Sequence, residues 1–163
     1  MNPEKLSTNV SLHHDGDGQS VLRFEHRYAH SRERVWRAIT DGAEHSAWFG
    51  FKVDIDPVAG GKFTITFSED FVEAGKVLEA NPPELFVYTG RSDTFRWELS
   101  EDGAGCGVVL INTTGDPGHI PNSAAGFHVA LDALERHLNA DEQPDDAAVP
   151  FDELAGYYAE VLA

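Results

Sequence analysis

The feature that most constrains the fold of this chain is a series of short segments in which apolar and polar residues alternate. In one segment Phe63, Ile65 and Phe67 share a face, while lysine and threonine side chains occupy the other face. A period of two is typical of a strand that is buried on one side. Glycine and proline residues separate several segments, as turns require. The pattern predicts an antiparallel sheet with strands over residues 52–56, 62–67, 71–79, 86–90, 94–100 and 107–113.

A further strand and two short helices precede this series. Residues 21–28 alternate as a strand, and Ser31 follows as a residue that can cap the N-terminus of a helix. Apolar residues then recur at helical spacing, which predicts a first helix over residues 31–40. A second short helix is predicted over residues 42–48.

The C-terminal third of the chain is predicted to be helical. A long helix begins near residues 121–123, and Phe127, Leu131, Leu134 and Leu138 follow at spacings of four, three and four. Residues at this spacing lie on one face of a helix. We therefore expect this stripe to pack against the sheet.

The length and composition are those of one domain. The chain has 163 residues, of which 41% are hydrophobic. We expect a single domain over residues 1–163 with a core over about 20–140. An N-terminal hairpin strand over 8–19 is expected before it, because Asp15-Gly16-Asp17-Gly18 lies between two alternating segments. An extra amphipathic helix over about 150–163 is expected after it.

The chain is strongly acidic, with a formal net charge of −16. We expect no binding to nucleic acid and none to a membrane, because anionic phosphates attract basic patches and none is visible. No run of about 18 apolar residues predicts a membrane-spanning helix. The N-terminus lacks the apolar core of a secretion signal, and the single Cys106 cannot form an internal disulfide. Together these features predict a cytoplasmic protein.

Polar residues that could support catalysis form no recognisable constellation. The sequence shows no nucleophile elbow, no phosphate-binding glycine loop and no metal-ligand spacing, so we predict no catalytic residue, no metal and no cofactor. We expect His45 at the surface or at a helix cap. The alternative is the mouth of a cavity, because Trp48 lies three residues later on the same helix face. The other candidates are Glu69, Asp70, Arg91, Arg96, Asn112, His119 and His128, the last expected to be partly exposed or structurally hydrogen-bonded.

Aromatic residues give the strongest indication of a binding site. Three of them cluster directly after the second predicted helix, and others fall on the predicted inner face of the sheet or on the long helix. Bulky aromatic side chains hold a sheet and a helix apart, and a ligand would lie in the space between the two layers. Plain core packing is the alternative for each of them. The predicted ligand-binding residues are Trp48, Phe49, Phe51, Phe67, Phe71, Tyr88, Phe95, Trp97, Phe127 and Leu131.

Several motifs resemble those of a known family. Val35-Trp36-Arg37-Ala38-Ile39-Thr40-Asp41 and Trp48-Phe49 resemble the SRPBCC superfamily, in the branch related to the C-terminal domain of the activator of heat-shock-protein-90 ATPase. Gly60-Gly61-Lys62-Phe63 resembles the glycine pair that opens a strand in that branch. Gly126-Phe127 resembles the start of its long helix, with phenylalanine in place of tryptophan. The resemblance covers about residues 20–140.

The resemblance implies a helix-grip fold of the α+β class. A curved antiparallel sheet of about six to seven strands would wrap around a long C-terminal helix, with two short helices after the first main strand. The family often has a histidine after its last strand, where this chain reads Asn112-Thr113-Thr114-Gly115, so no role tied to that histidine is expected.

The same resemblance implies a ligand cavity between sheet and helix. We expect it to bind a small hydrophobic or amphipathic molecule: a lipid, a polyketide or an aromatic metabolite. Two alternatives stay open, namely a cyclase or hydratase that uses polar groups in the same cavity and a partner module of a chaperone ATPase. An enzyme is the less favoured of the functions, and a homodimer is a further expectation because relatives of this kind often pair.

Overall fold

The computed structural model describes residues 8–90, 92–140 and 150–162. Its strands are β1 (Asn9–His14), β2 (Ser20–Tyr28), β3 (Lys52–Ile55), β4 (Lys62–Ser68), β5 (Phe71–Asn81), β6 (Leu85–Gly90), β7 (Asp93–Asp102) and β8 (Gly105–Thr114). Its helices are α1 (Arg32–Thr40), α2 (Gly42–Phe49), α3 (Ile120–Leu138) and α4 (Phe151–Val161), and a 3-10 turn at Pro117–His119 leads into α3. The strands form one antiparallel sheet in the order β1-β2-β8-β7-β6-β5-β4-β3.

This arrangement is the predicted helix-grip fold, a curved open sheet with a long helix near the C-terminus. The boundaries of β2 to β8 and of the two short helices agree with the predicted ones to within two residues, whereas β1 ends at His14, five residues before the predicted end of the N-terminal strand. The sheet has eight strands, one more than the upper expected number, because β1 pairs with β2 and β2 pairs with β8 in the same sheet. Within the described ranges, no helix is long and apolar enough to cross a membrane.

The turn between β1 and β2 is held by the side chain of its first residue. Oδ1 of Asp15 accepts hydrogen bonds from the backbone N–H groups of Asp17 and Gln19. Gly16 and Gly18 adopt φ values of +84° and +83°, a region that glycine enters without a steric penalty. The hairpin predicted at this position is therefore present.

Side-chain caps define the start of both short helices. The hydroxyl of Ser31 accepts a hydrogen bond from the N–H of Arg34, which confirms the predicted cap of α1. Asp41 accepts one from the N–H of Glu44 and so begins α2 immediately after α1 ends. Gly50, at φ +90°, ends α2 in the left-handed conformation. The two helices consequently follow one another with no loop between them.

The long helix α3 packs on the inner face of the sheet through the predicted stripe. Leu131, Leu134 and Leu138 are buried, and the hydroxyl of Tyr28 on β2 donates a hydrogen bond to the carbonyl of Leu131 at 3.0 Å. Phe127 is only half-buried, because at this level the helix and sheet do not close on each other. That separation creates the space described below.

The last helix, α4, packs against α3. Leu154 and Tyr158 are its buried residues, and the Tyr158 hydroxyl lies 2.8 Å from Nδ1 of His128 in a hydrogen bond. The other ring nitrogen of His128 lies 3.4 Å from Oδ2 of Asp132. His128 is thus a buried histidine with a structural hydrogen bond, one of the two environments expected for it.

Candidate functional site

A cavity of about 180 Å³ lies between the inner face of the sheet and the helices α2 and α3. Strands β4, β6 and β7 form its floor, α2 closes one side, and α3 covers it. Seven of the ten predicted binding residues line it: Trp48, Phe49, Phe67, Tyr88, Phe95, Trp97 and Phe127.

The other three predicted residues lie elsewhere. Phe51 borders a neighbouring groove on the surface. Phe71 is largely exposed, with its ring centroid 5.2 Å from that of Phe67. Leu131 is fully buried in the core beneath α3 and is not part of the cavity wall.

Local sequence periodicity explains how the wall is assembled. His45, Trp48 and Phe49 occupy positions i, i+3 and i+4 of α2, which lie on one helix face. Phe63, Ile65 and Phe67 lie two residues apart along β4, so their side chains point to the same face of the sheet. The prediction omitted Phe63 and Ile65 from the site, although their period of two carried the signal.

Five side chains form a closed ring around the cavity. His45 stacks on Trp48 at 4.4 Å between ring centroids, and Trp48 meets Trp97 edge to face at 6.5 Å. Nε1–H of Trp97 donates a hydrogen bond to the Tyr88 hydroxyl at 3.1 Å. Tyr88 stacks on Phe63 at 3.8 Å, and Phe63 meets His45 at 5.6 Å, which completes the ring. These contacts hold the polar atoms of the cavity at defined positions.

His45 is buried, with 2% of its surface exposed, so the expectation of a surface position is wrong. Its imidazole instead caps the end of α1, because Nδ1–H donates to the carbonyl of Ile39 at 2.9 Å. Burial lowers the pKa of His45 from 6.5 to about 4, and the hydrogen bond to Ile39 opposes this only in part. The ring is therefore neutral at pH 7 while it lines the cavity.

Tyr88 contributes the second polar group. Burial raises its pKa well above the ordinary value of a tyrosine, and the hydrogen bond from Trp97 offsets only part of this shift. The hydroxyl is protonated at any physiological pH. It accepts a hydrogen bond from the indole N–H of Trp97, so its own proton can be donated to another acceptor.

Other polar candidates have structural surroundings. Asn112 is completely buried, and its Nδ2 donates to the carboxylate of Asp93 at 3.2 Å. His119 lies at the surface, 3.0 Å from the carboxylate of Asp116. Cys106 is buried in β8, and burial raises the pKa of its thiol to about 11. A thiol with such a pKa is a weak nucleophile at pH 7.

The remaining candidates do not converge on the cavity. Nε of Arg96 pairs with Glu98 on the other face of β7, at 2.5 Å. Glu69 and Asp70 are exposed in the turn between β4 and β5. Arg91 lies outside the described residues. In the part of the chain that the structure describes, no cluster of three histidine, cysteine or acidic side chains could hold a metal ion.

A surface groove of about 370 Å³ adjoins the cavity. The two share Trp48, Phe49, Phe127 and Ala130 as a common wall. Exposed apolar side chains border the groove on its outer side: Phe51, Val129 and Phe151. The groove and the cavity are therefore neighbours beside α3, with the common wall between them.

A larger and more polar depression lies at another side of the cavity. It shares Phe67, Glu73, Gly90 and Phe95 with the cavity wall. Asp93 and Asp116 add carboxylates to its lining. The cavity thus adjoins an apolar groove on one side and an acidic depression on another.

Solved structures with this fold exist at low sequence identity. A conserved protein of unknown function from Enterococcus faecalis superposes with a TM-score of 0.83 at 14% identity, covering 94% of this chain and 90% of that chain. CalU16 from Micromonospora echinospora gives a TM-score of 0.75 at 20% identity, covering 95% and 98% of the two chains. Protein MLL2253 from Mesorhizobium loti gives 0.68 at 20% identity, covering 76% and 99%. At such identities the likeness establishes the fold alone.

The sequence itself matches one family. Residues 29–139, more than half of the chain, match the family model described as Activator of Hsp90 ATPase homolog 1-like protein. No relative with a curated description matches the chain. The matched segment contains both short helices, β3 to β8 and α3, and so includes every element that lines the cavity. The chain therefore belongs to the Activator of Hsp90 ATPase homolog 1-like family.

Proposed function

We propose that this protein binds a small hydrophobic or amphipathic molecule in the cavity between the sheet and α3. The observation that carries the proposal is the composition of the wall, in which aromatic and aliphatic side chains surround a few polar groups. Ligand pockets in proteins typically combine an apolar lining with a small number of placed polar atoms. The fold supports the proposal by analogy, since proteins of this type commonly bind ligands.

The size of the cavity favours a compact ligand. Its volume of about 180 Å³ is somewhat larger than an engineered apolar cavity of about 150 Å³ that binds benzene. Of the three expected ligand classes, an aromatic metabolite fits this volume best, whereas a lipid chain would have to continue into the adjoining groove. Burying about 300 Å² of apolar ligand surface contributes about 7 kcal/mol before entropic costs, so apolar burial by itself gives affinities weaker than micromolar.

Native mass spectrometry of the purified protein tests the proposal, followed by denaturing extraction of any bound molecule. A hydrophobic molecule that co-purifies at defined stoichiometry would support it and identify the ligand class. The thermal-unfolding midpoint is then measured with a panel of small aromatic compounds and fatty acids. A protein that purifies without a ligand and gains no stability from the panel would contradict the proposal and favour the chaperone-partner alternative.

Two alanines of α3 provide a matched pair of variants. Ala130 lines both the cavity and the groove, whereas Ala133 lines the groove alone. Ala130→Leu should occupy part of the cavity and weaken binding at least tenfold, while Ala133→Leu should change it little. Equal effects of the two substitutions would locate the ligand in the groove instead.

A cyclase or hydratase is the second candidate function, and His45 is the observation that favours it. A histidine with a strongly shifted pKa in a cavity is a feature of many active sites. A base with a pKa of about 4 removes protons poorly at pH 7, however, so binding is the better-supported function. Mass analysis of an extracted ligand before and after incubation with the protein separates the two, because only an enzyme changes its composition or structure.

A further inference from the structure

We infer that the ligand of the cavity is a small hydroxylated aromatic molecule. Its hydroxyl group donates a hydrogen bond to Nε2 of His45 and accepts one from the hydroxyl of Tyr88. This inference rests on the proposed function and specifies its ligand class. It depends on two polar groups in the wall whose hydrogen-bonding capacity no described residue uses up.

The first group is an acceptor. The carbonyl of Ile39 can only accept a hydrogen bond, so Nδ1 of His45 must carry the proton that it donates at 2.9 Å. Because burial keeps the ring neutral, Nε2 carries a lone pair. The bond to Ile39 is the only hydrogen bond of this imidazole among the described residues. Nε2 consequently requires a donor from a ligand or from water.

Nε2 of His45 also has access to the cavity. In the described part of the chain, the fully enclosed side-chain nitrogen and oxygen atoms without a hydrogen bond lie on His26, Arg32, Arg34 and Asn112. Nε2 of His45 has no hydrogen bond either, yet it is not among these enclosed atoms, so part of its surface is accessible. Because the ring is buried and lines the cavity, we assign this accessible surface to the cavity.

The second group is a donor. Nε1–H of Trp97 can only donate, so the Tyr88 hydroxyl accepts that bond at 3.1 Å and retains its own proton. No residue within the described ranges accepts this proton. Tyr88 is 5% exposed and lines the same cavity as His45, and both rings contact Phe63. Glu73 and Thr89 also line the cavity, and each has interactions of its own. His45 and Tyr88 add an acceptor and a donor that no described residue takes up.

These two groups discriminate between ligand chemistries. A hydroxyl both donates and accepts, so it can satisfy His45 and Tyr88. A carboxylate has no proton to donate to Nε2, and it would lose its hydration inside an apolar wall. A pure hydrocarbon would leave both groups without a hydrogen bond, which carries a desolvation penalty. The volume of about 180 Å³ limits the apolar body to one ring or two fused rings.

Three compounds of similar shape test the inference by isothermal titration calorimetry: 2-naphthol, 2-methoxynaphthalene and naphthalene. The methoxy compound can accept a hydrogen bond but cannot donate one. We expect 2-naphthol to bind about tenfold more tightly than 2-methoxynaphthalene, the effect of one net hydrogen bond. Equal or weaker binding of 2-naphthol would overturn the inference while leaving the proposed function intact. If none of the three compounds binds, the proposed function fails for aromatic ligands.

His45→Phe keeps an aromatic ring in the wall and removes the acceptor. In this variant the two compounds should have about equal dissociation constants, so the preference for 2-naphthol disappears. The affinity for 2-methoxynaphthalene should be retained. Comparing the ratio of the two dissociation constants between parent and variant cancels the different hydration of the two compounds. Tyr88→Phe should reduce the affinity of both oxygen-bearing compounds and spare naphthalene. A ratio in His45→Phe that equals the parent ratio would overturn the role of Nε2.

A measurement on the unmodified protein covers the case in which His45→Phe does not fold. The ¹⁵N signal of His45 Nε2 should shift on addition of 2-naphthol, because an acceptor nitrogen responds to a new hydrogen bond. It should shift much less with 2-methoxynaphthalene. Identical responses to the two compounds would contradict the inference.

Discussion

The imidazole ring of His45 has two roles: it donates a hydrogen bond to the end of α1 and it lines the cavity. Nδ1 satisfies a carbonyl at the end of α1, and the stacked ring contacts Trp48 at 4.4 Å between centroids. A backbone carbonyl at a helix end needs a donor, and a histidine near that end can provide one. The residue is therefore held in place by the fold before any ligand arrives.

The acid stability of the protein should depend on His45. Burial lowers its pKa from 6.5 to about 4, so between these values the unfolded chain binds a proton that the folded chain does not. The free energy of unfolding consequently falls as the pH decreases, by about 2–3 kcal/mol between pH 7.5 and pH 4.5. Urea unfolding of the parent and of His45→Phe at both pH values measures this component.

In His45→Phe the loss of stability over this pH range should be smaller by that amount. His26, whose pKa burial also lowers, remains in the variant and keeps its own contribution. Parallel pH profiles for parent and variant would show that His45 becomes protonated without cost to the fold.

Trp97 belongs to the core and to the cavity wall at once. It is 2% exposed, and its indole donates to Tyr88. We expect Trp97→Ala to lower the free energy of unfolding by about 3–5 kcal/mol, since the cavity already present limits how far the structure can collapse. Ligand affinity should fall as well. Trp97→Phe is the control, and denaturant titration should place it between the parent and the alanine variant.

At the scale of elements, glycine has opposite roles in β5 and in α4. A Cβ atom on Gly75 would lie 1.9 Å from the carbonyl oxygen of Thr89 on the neighbouring strand, so β5 requires glycine there. A Cβ on Gly156 in α4 would meet nothing within 4 Å. The first glycine permits a close approach of two strands, and the second has no such function in the described structure.

Gly156→Ala should therefore stabilise the protein. Alanine in a helix interior is favoured over glycine by about 0.5–1 kcal/mol, chiefly because the unfolded chain loses conformational freedom. Thermal unfolding and amide hydrogen exchange of α4 measure the gain. Gly75→Ala is the opposite control and should abolish cooperative unfolding or lower its midpoint sharply. A destabilised Gly156→Ala would mean that α4 has a contact which the structure does not show.

For the whole molecule, the charge imbalance should make stability depend on salt. The chain has 28 acidic and 12 basic residues, so like charges dominate its surface. The screening length falls from about 30 Å at 0.01 M to about 10 Å at 0.1 M salt. We expect the thermal-unfolding midpoint to rise between 10 mM and 200 mM sodium chloride.

The direction of this salt effect shows whether net charge repulsion or the exposed ion pairs have the larger influence on stability. Exposed ion pairs such as Arg27–Asp102 weaken with salt, but each contributes at most about 1 kcal/mol. If the midpoint falls as salt is added, these pairs outweigh the net repulsion. An equal response to sodium chloride and sodium sulfate at matched ionic strength would identify screening as the cause.

The elements could be predicted because their signals are local. Period-two alternation located β4, and Ser31 marked the start of α1.

The cavity wall was predicted less completely, and the errors have physical causes. Phe71 follows a register irregularity in the pairing of β4 with β5, so alternation from Phe67 does not carry over to it. Leu131 shares a helix stripe with Phe127, yet it lies where α3 is bonded to Tyr28 and fully packed.

The sequence by itself determined the class of fold, the inward faces of β4 and β7, the cap of α1 and the net negative charge. Each of these depends on residues close together in the chain. Only the tertiary structure decided where the sheet and α3 stay apart, and that the buried ring of His45 lines the resulting cavity. The separation of two layers depends on all the side chains packed between them at once, and those side chains come from six different elements.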